Sequence, residues 1–166
     1  MKKRGKGIVI CIASRAGTLD LPGGLSYAVS KTAVIRLVCS SQLELDIEGL
    51  GDDIQLYALH PGGVLTDMPK TPWPKDVQEA YPERWKAMQD WLPKFGTSRF
   101  LCASTCLYIA SGKAKALKGR YFDCEQDIET VCKNASEIQE KDLYRLKVDF
   151  LGGLPNDGGI AKDLEM

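Results

Sequence analysis

Two short apolar runs, at 7–12 and 54–59, bracket one long segment of helical spacing, and that order restricts the fold more than any other feature of the chain. The first run, Gly7-Ile8-Val9-Ile10-Cys11-Ile12, is continuous and rich in β-branched residues, the pattern of a strand buried on both faces of a parallel sheet. From Ser26 to about Glu48, the positions of Ala28, Val29, Ala33, Val34, Leu37, Val38, Leu43, Leu45 and Ile47 follow a helical period, and Gly49 with Gly51 supplies the stop. Ile54 to Leu59 reads as the second strand, cut off by Pro61 and two glycines. A strand, a crossover helix and a strand in this order place the two strands side by side, parallel and right-handed.

The remaining length allows one domain, since 166 residues is about the size of a single core. Twenty-two basic side chains balance 22 acidic ones, which removes the bulk electrostatic case for nucleic acid or an anionic membrane as partner. His60 is the single histidine, so a zinc site built on several imidazoles is excluded. The six cysteines, Cys11, Cys39, Cys102, Cys106, Cys124 and Cys132, lie mostly in apolar runs without a Cys-x-x-Cys pair, and are read as free thiols of a reducing compartment. Lys2, Lys3, Arg4 and Lys6 before the first apolar run imitate a secretory leader. That run is shorter than the ~7–15 residues a leader requires and is closed by Ser14 and Arg15. With no apolar stretch near ~18 residues either, the expected location is cytoplasmic.

Between residues 66 and 97 the composition changes: Pro69, Pro72, Pro74, Pro82 and Pro93 alternate with Trp73, Tyr81, Trp85 and Trp91. Short helices are expected near 77–80 and 83–92, in an insertion that either covers a substrate or packs a long loop. A helix is expected at about 99–111, a short third strand at 119–122, and a solvated helix through the charge run of 137–147. Residues 1–150 are read as the domain and 151–166, with four glycines, as a loose tail.

Chemistry concentrates at the carboxyl ends of the two strands, where open parallel sheets place their ligands. Tyr27 and Lys31 are four apart, one turn along the same helix face. An ammonium beside a phenol favours the phenolate, and a free tyrosine titrates near ~10, so such a cation makes tyrosine a useful proton carrier near neutrality. Ser14 stands just beyond the first strand, thirteen residues before Tyr27, where its hydroxyl can hold a carbonyl oxygen. Pro61-Gly62-Gly63-Val64-Leu65-Thr66 follows the second strand, and glycine there lets backbone approach a flat ring or amide closely. His60, directly before that turn, is read as a strand-end residue rather than a catalyst.

This combination resembles the short-chain dehydrogenase/reductase family. The matching pieces are Ser14-Arg15-Ala16-Gly17, Tyr27-Ala28-Val29-Ser30-Lys31, His60-Pro61-Gly62-Gly63-Val64-Leu65-Thr66-Asp67 and Leu117-Lys118-Gly119-Arg120-Tyr121, in order, over roughly residues 5–125. The resemblance implies an α/β fold, a partial Rossmann-like three-layer arrangement on a parallel sheet. It implies Tyr27 as general acid/base, Ser14 as the group orienting the substrate oxygen, and Lys31 on the nicotinamide ribose. Pro61, Gly62, Gly63, Val64 and Thr66 would hold the carboxamide, through the Val64 backbone and the Thr66 hydroxyl. The implied cofactor is NAD or NADP, and the implied partner a small-molecule carbonyl or alcohol substrate.

The family's amino-terminal signature, a strand followed by a glycine-rich phosphate turn, is not in this sequence, so the chain is expected to correspond to the carboxyl-terminal portion of such an enzyme. Three readings follow: an NAD(P)-dependent oxidoreductase lacking its dinucleotide-binding half, a cofactor-free isomerase or dehydratase using Tyr27, Lys31 and Ser14, or a non-catalytic remnant. The strand at 8–12 is expected to be an open edge, marginal in isolation and prone to pair with a second copy or a full-length relative.

Overall fold

The computed structural model describes residues 1–148; the tail read at 151–166 lies outside them. Three strands, β1 (Gly7–Ile12), β2 (Ile54–His60) and β3 (Tyr121–Asp123), form one parallel sheet in the order β1-β2-β3. The crossover is α1, Leu25–Ile47, which matches the expected 26–48. Between β2 and β3 come α2 (Asp67–Lys70), α3 (Lys75–Ala80), α4 (Pro82–Trp91) and α5 (Arg99–Ala110), and after β3 come α6 (Ile128–Lys133) and α7 (Ala135–Glu140).

The side-chain alternation of β2 divides the core into two layers. Tyr57 and Leu59 face one side with Phe122, where Ile109, Leu117, Ile128 and Ile138 complete a buried cluster fed by Ile8 and Ile10. Ala58 faces the other side and packs with Ile35, Val38 and Ala13 under α1. Both faces of β2 are therefore covered, as a parallel sheet requires. Gln42, only 2% exposed, ties α1 to β2 and the loop before it: its amide donates to the Gly51 carbonyl at 3.2 Å, and its oxygen accepts from Leu56 N–H at 2.8 Å.

Three expectations are corrected. β1 is partly exposed rather than buried on both faces, while its expected place at an open edge is met, since among the described residues it pairs with β2 alone. The third strand begins at Tyr121 rather than Gly119, whose backbone turns at φ 70° and sends its N–H to the Leu56 carbonyl at 2.8 Å. The charge run of 137–147 is helical only as far as Glu140. Beyond it, Asp142 and Tyr144 take positive φ. The buried guanidinium of Arg120 donates to Asp142 at 2.8 Å and also reaches the Leu143 carbonyl, while Tyr121 N–H donates to the Tyr144 carbonyl at 2.9 Å. A run that looks like a solvated helix is thus a strap along the outer edge of β3, held by one buried cation. Covering an edge in this way blocks unwanted strand pairing.

Candidate active site

Because all three strands are parallel, their carboxyl ends open on one edge, where Ser14 follows β1 and the Pro61–Thr66 turn follows β2. Ser14 follows β1 and is 8% exposed; its Oγ accepts from Ala16 N–H at 3.2 Å, which starts a turn of 3-10 helix over Arg15–Thr18. That turn packs against the second turn of α1, where Thr32 Oγ1 donates to the Gly17 carbonyl at 2.9 Å. Lys31 lies one residue earlier. Its ammonium donates to the Ile12 carbonyl, the last of β1, at 2.9 Å and stands 5.6 Å from the centre of the Tyr27 ring. One cation therefore connects the helix face of Tyr27 to the strand end that leads into Ser14. Tyr27 is 39% exposed, and its hydroxyl makes no hydrogen bond among the described residues, so both of its hydrogen-bonding roles are open.

On the neighbouring strand, the Pro61–Thr66 turn leaves β2 with Gly62 at φ +82°, where a side chain would also overlap the Thr97 methyl. Gly63 and Thr97 exchange backbone and hydroxyl bonds, with Thr97 N–H donating to the Gly63 carbonyl at 3.1 Å. The backbone of Val64 is partly engaged: its N–H donates to the Gly62 carbonyl at 3.1 Å, and its carbonyl accepts from Thr66 N–H at 2.9 Å. The N–H is thus spent within the turn, whereas the carbonyl keeps a second lone pair and the exposed Thr66 hydroxyl is free among the described residues.

The 66–97 insertion touches both halves of this edge. Trp73, Val77 and Tyr81 lie against Gly23, in the loop before Tyr27, and the Phe95 ring lies against Gly63. Trp73 and Trp85 stack with ring centres 5.6 Å apart, and Trp91 meets Phe95 edge-on at 4.6 Å. Among residues 66–97 none is fully buried, so the segment forms no second core.

Beyond β3 the edge is strongly charged, a feature the sequence reading did not find. Arg15 Nε donates to Asp123 at 2.9 Å, its Nη2 donates to Glu125 at 2.7 Å, and its backbone N–H donates to His60 Nδ1 at 3.3 Å. An open cavity of about 470 Å³ lies beside this cluster, lined by Arg15, Thr18, Tyr121, Asp123 and Tyr144; Tyr27 and Lys31 do not line it. Hydrogen bonds from Thr97 and the Gly63 amide, reinforced by Arg15, hold the Glu125 carboxyl well down, to about 2. Burial pushes the His60 imidazole below its usual 6.5, and Arg15 adds to this against the opposing pull of Asp123 and Glu125.

The imidazole is accordingly neutral, with its proton on Nε2, because Nδ1 accepts. The sign of the pH effect follows. Below about 6.5 the unfolded chain binds a proton that the native chain refuses, so the His60 contribution to stability is complete above 6.5 and declines as the pH falls below it. NMR titration of the single histidine is expected to give a midpoint below 6.5. A midpoint above 6.5 would contradict the buried, accepting imidazole.

Comparison with known proteins gives a family-level similarity. Residues 1–76 match the family model described as short chain dehydrogenase. A short chain dehydrogenase of Monascus purpureus, mpl6, is 27% identical over 146 residues, covering 88% of this chain and 44% of that protein. Human dehydrogenase/reductase SDR family member 4 is 31% identical over 112 residues, covering 66% of this chain and 39% of that protein. The 3-oxoacyl-[acyl-carrier-protein] reductase FabG of Staphylococcus aureus is 29% identical over 120 residues, 72% of this chain and 44% of its own length. The chain thus spans less than half the length of these relatives.

Proposed function

The chain belongs to the short-chain dehydrogenase/reductase family of oxidoreductases, and from that premise we propose that its carboxyl edge reduces a small carbonyl compound, or oxidises the corresponding alcohol, with NAD or NADP. The observation that carries this reading is the double engagement of Lys31, which holds the end of β1 at Ile12 while its charge stands over the Tyr27 ring. In this reading Ser14 donates a hydrogen bond to the substrate oxygen, and the Tyr27 hydroxyl gives that oxygen its proton or takes it away. Lys31 offers its remaining N–H donors to a ribose hydroxyl. The residues fit the nicotinamide end of the cofactor: the exposed Thr66 hydroxyl offers a donor, and the second lone pair of the Val64 carbonyl an acceptor, to the two ends of a carboxamide. When bound, the nicotinamide supplies or accepts the hydride; the protein supplies orientation and the proton. The six free thiols support a cytoplasmic, reducing environment as part of the same reading.

Binding of the nicotinamide end tests this directly. Titration with reduced nicotinamide mononucleotide, followed by quenching of tryptophan fluorescence, is expected to saturate with a Kd of roughly 0.1–1 mM, about −5.5 to −4 kcal/mol. Lys31→Ala is expected to weaken it at least tenfold. No saturation in the millimolar range, or turnover that needs no nucleotide, would overturn the oxidoreductase reading, and the second result would favour proton transfer by Tyr27 alone.

A further inference from the structure

One carboxylate joins parts of the edge that are far apart in the chain. Glu125 Oε1 accepts from Gly63 N–H at 3.1 Å and from the Thr97 hydroxyl, while Oε2 accepts from Arg15 Nη2 at 2.7 Å. Arg15 directly follows Ser14, and Gly63 lies in the Pro61–Thr66 turn. Asp123 supports the arrangement from behind: its Oδ1 accepts Glu125 N–H at 3.0 Å and its Oδ2 accepts Arg15 Nε at 2.9 Å. We propose that Glu125 is a positioning residue which, through Arg15 and the Gly63–Thr97 pair, sets the separation between the Ser14 strand end and the turn assigned to the nicotinamide. The role rests on the oxidoreductase reading; the clamp itself rests on the contacts.

Stability alone is a poor reason for this network. The side chains of Arg15 and Glu125 are 44% and 35% exposed, and ion pairs so wet contribute little to folding. They do fix geometry, because one oxygen takes two donors and the other takes the guanidinium. An amide in place of the carboxylate would turn an N–H toward one of those donors. Transfer between two bound partners is steeply sensitive to their spacing, so a bridge that holds both sides acts on function more than on folding.

The test is Glu125→Gln, with Thr97→Val as a second variant that keeps the shape but removes the hydroxyl that donates to Glu125 and accepts from Gly63 N–H. Amide hydrogen exchange and the affinity for reduced nicotinamide mononucleotide are both measured on the full chain. Exchange at Gly63 is expected to quicken at least tenfold in Glu125→Gln, while exchange at Tyr57 and Leu59 in the core stays unchanged, and nucleotide affinity is expected to fall about tenfold. Thr97→Val, which takes away the other acceptor of the same N–H, is expected to move both in the same direction. Unchanged exchange at Gly63 in both variants overturns the clamp. Faster exchange with unaltered affinity, in a parent chain that does bind, overturns the positioning role. Faster exchange with no binding even by the parent chain leaves the clamp supported and overturns the dinucleotide reading instead.

Discussion

Turnover in carbonyl reduction is expected to fall by about 10²–10⁴-fold in Tyr27→Phe, the range carried by a positioned general acid and equal to about 2.7–5.4 kcal/mol of transition-state stabilisation. Little else should change. The ring is 39% exposed and would keep its place under the Lys31 ammonium, and the lost hydroxyl has no hydrogen bond to any described residue. Affinity for reduced nicotinamide mononucleotide should therefore stay within about twofold and thermal unfolding within a degree or two. Single-turnover oxidation of the reduced nucleotide, with a panel of small aldehydes and ketones, separates the chemical step from binding. A rate within tenfold of the parent would mean that the proton reaches the substrate oxygen by another route, and Tyr27 would lose its role whatever the family.

How much of this was legible in the sequence depended on distance along the chain. β1, α1 and β2 announce themselves through local period and glycine punctuation, and their observed ends fall within a residue or two of those read. The Tyr27–Lys31 pair is equally local, because four residues on a helix fix its geometry before any tertiary contact forms. Arg15 with Asp123 and Glu125 is the opposite case. The partners lie 108 and 110 residues apart, and each alone is an ordinary surface charge. Only the parallel sheet, by bringing three carboxyl ends to one edge, turns them into a cluster. The strap beyond Glu140 was misread for a related reason: its charges look solvated until the buried Arg120 is known to face them. The edge position of β1 was legible too, because the strand that the family resemblance would set beside it is not in this sequence, and among the described residues β1 pairs with β2 alone.

The second large effect concerns a residue without a side chain. Gly17 sits in the 3-10 turn after Ser14, and a methyl there would lie 2.7 Å from the Lys31 carbonyl carbon and 2.8 Å from the Thr32 nitrogen. Both are backbone atoms of α1, so no rotamer can relieve the overlap. The turn and the helix must separate by some tenths of an ångström. Overpacking of this kind costs about 1–3 kcal/mol, which Gly17→Ala should show as a lowered midpoint in urea at unchanged slope. The same displacement moves Ser14, on one side of the contact, away from Lys31 and Tyr27 on the other. A misplacement approaching 1 Å is worth on the order of 10²-fold in rate. Gly17→Ala should thus lose turnover well beyond what its stability loss explains at temperatures where it remains folded. Thr32→Val, which removes the hydroxyl shared between the Gly17 and Ala28 carbonyls, each at 2.9 Å, without adding bulk, should lose far less of either. If Gly17→Ala keeps full turnover while folding less stably, the close approach serves packing alone, and the contact between this turn and α1 has no part in positioning Ser14 for the reaction.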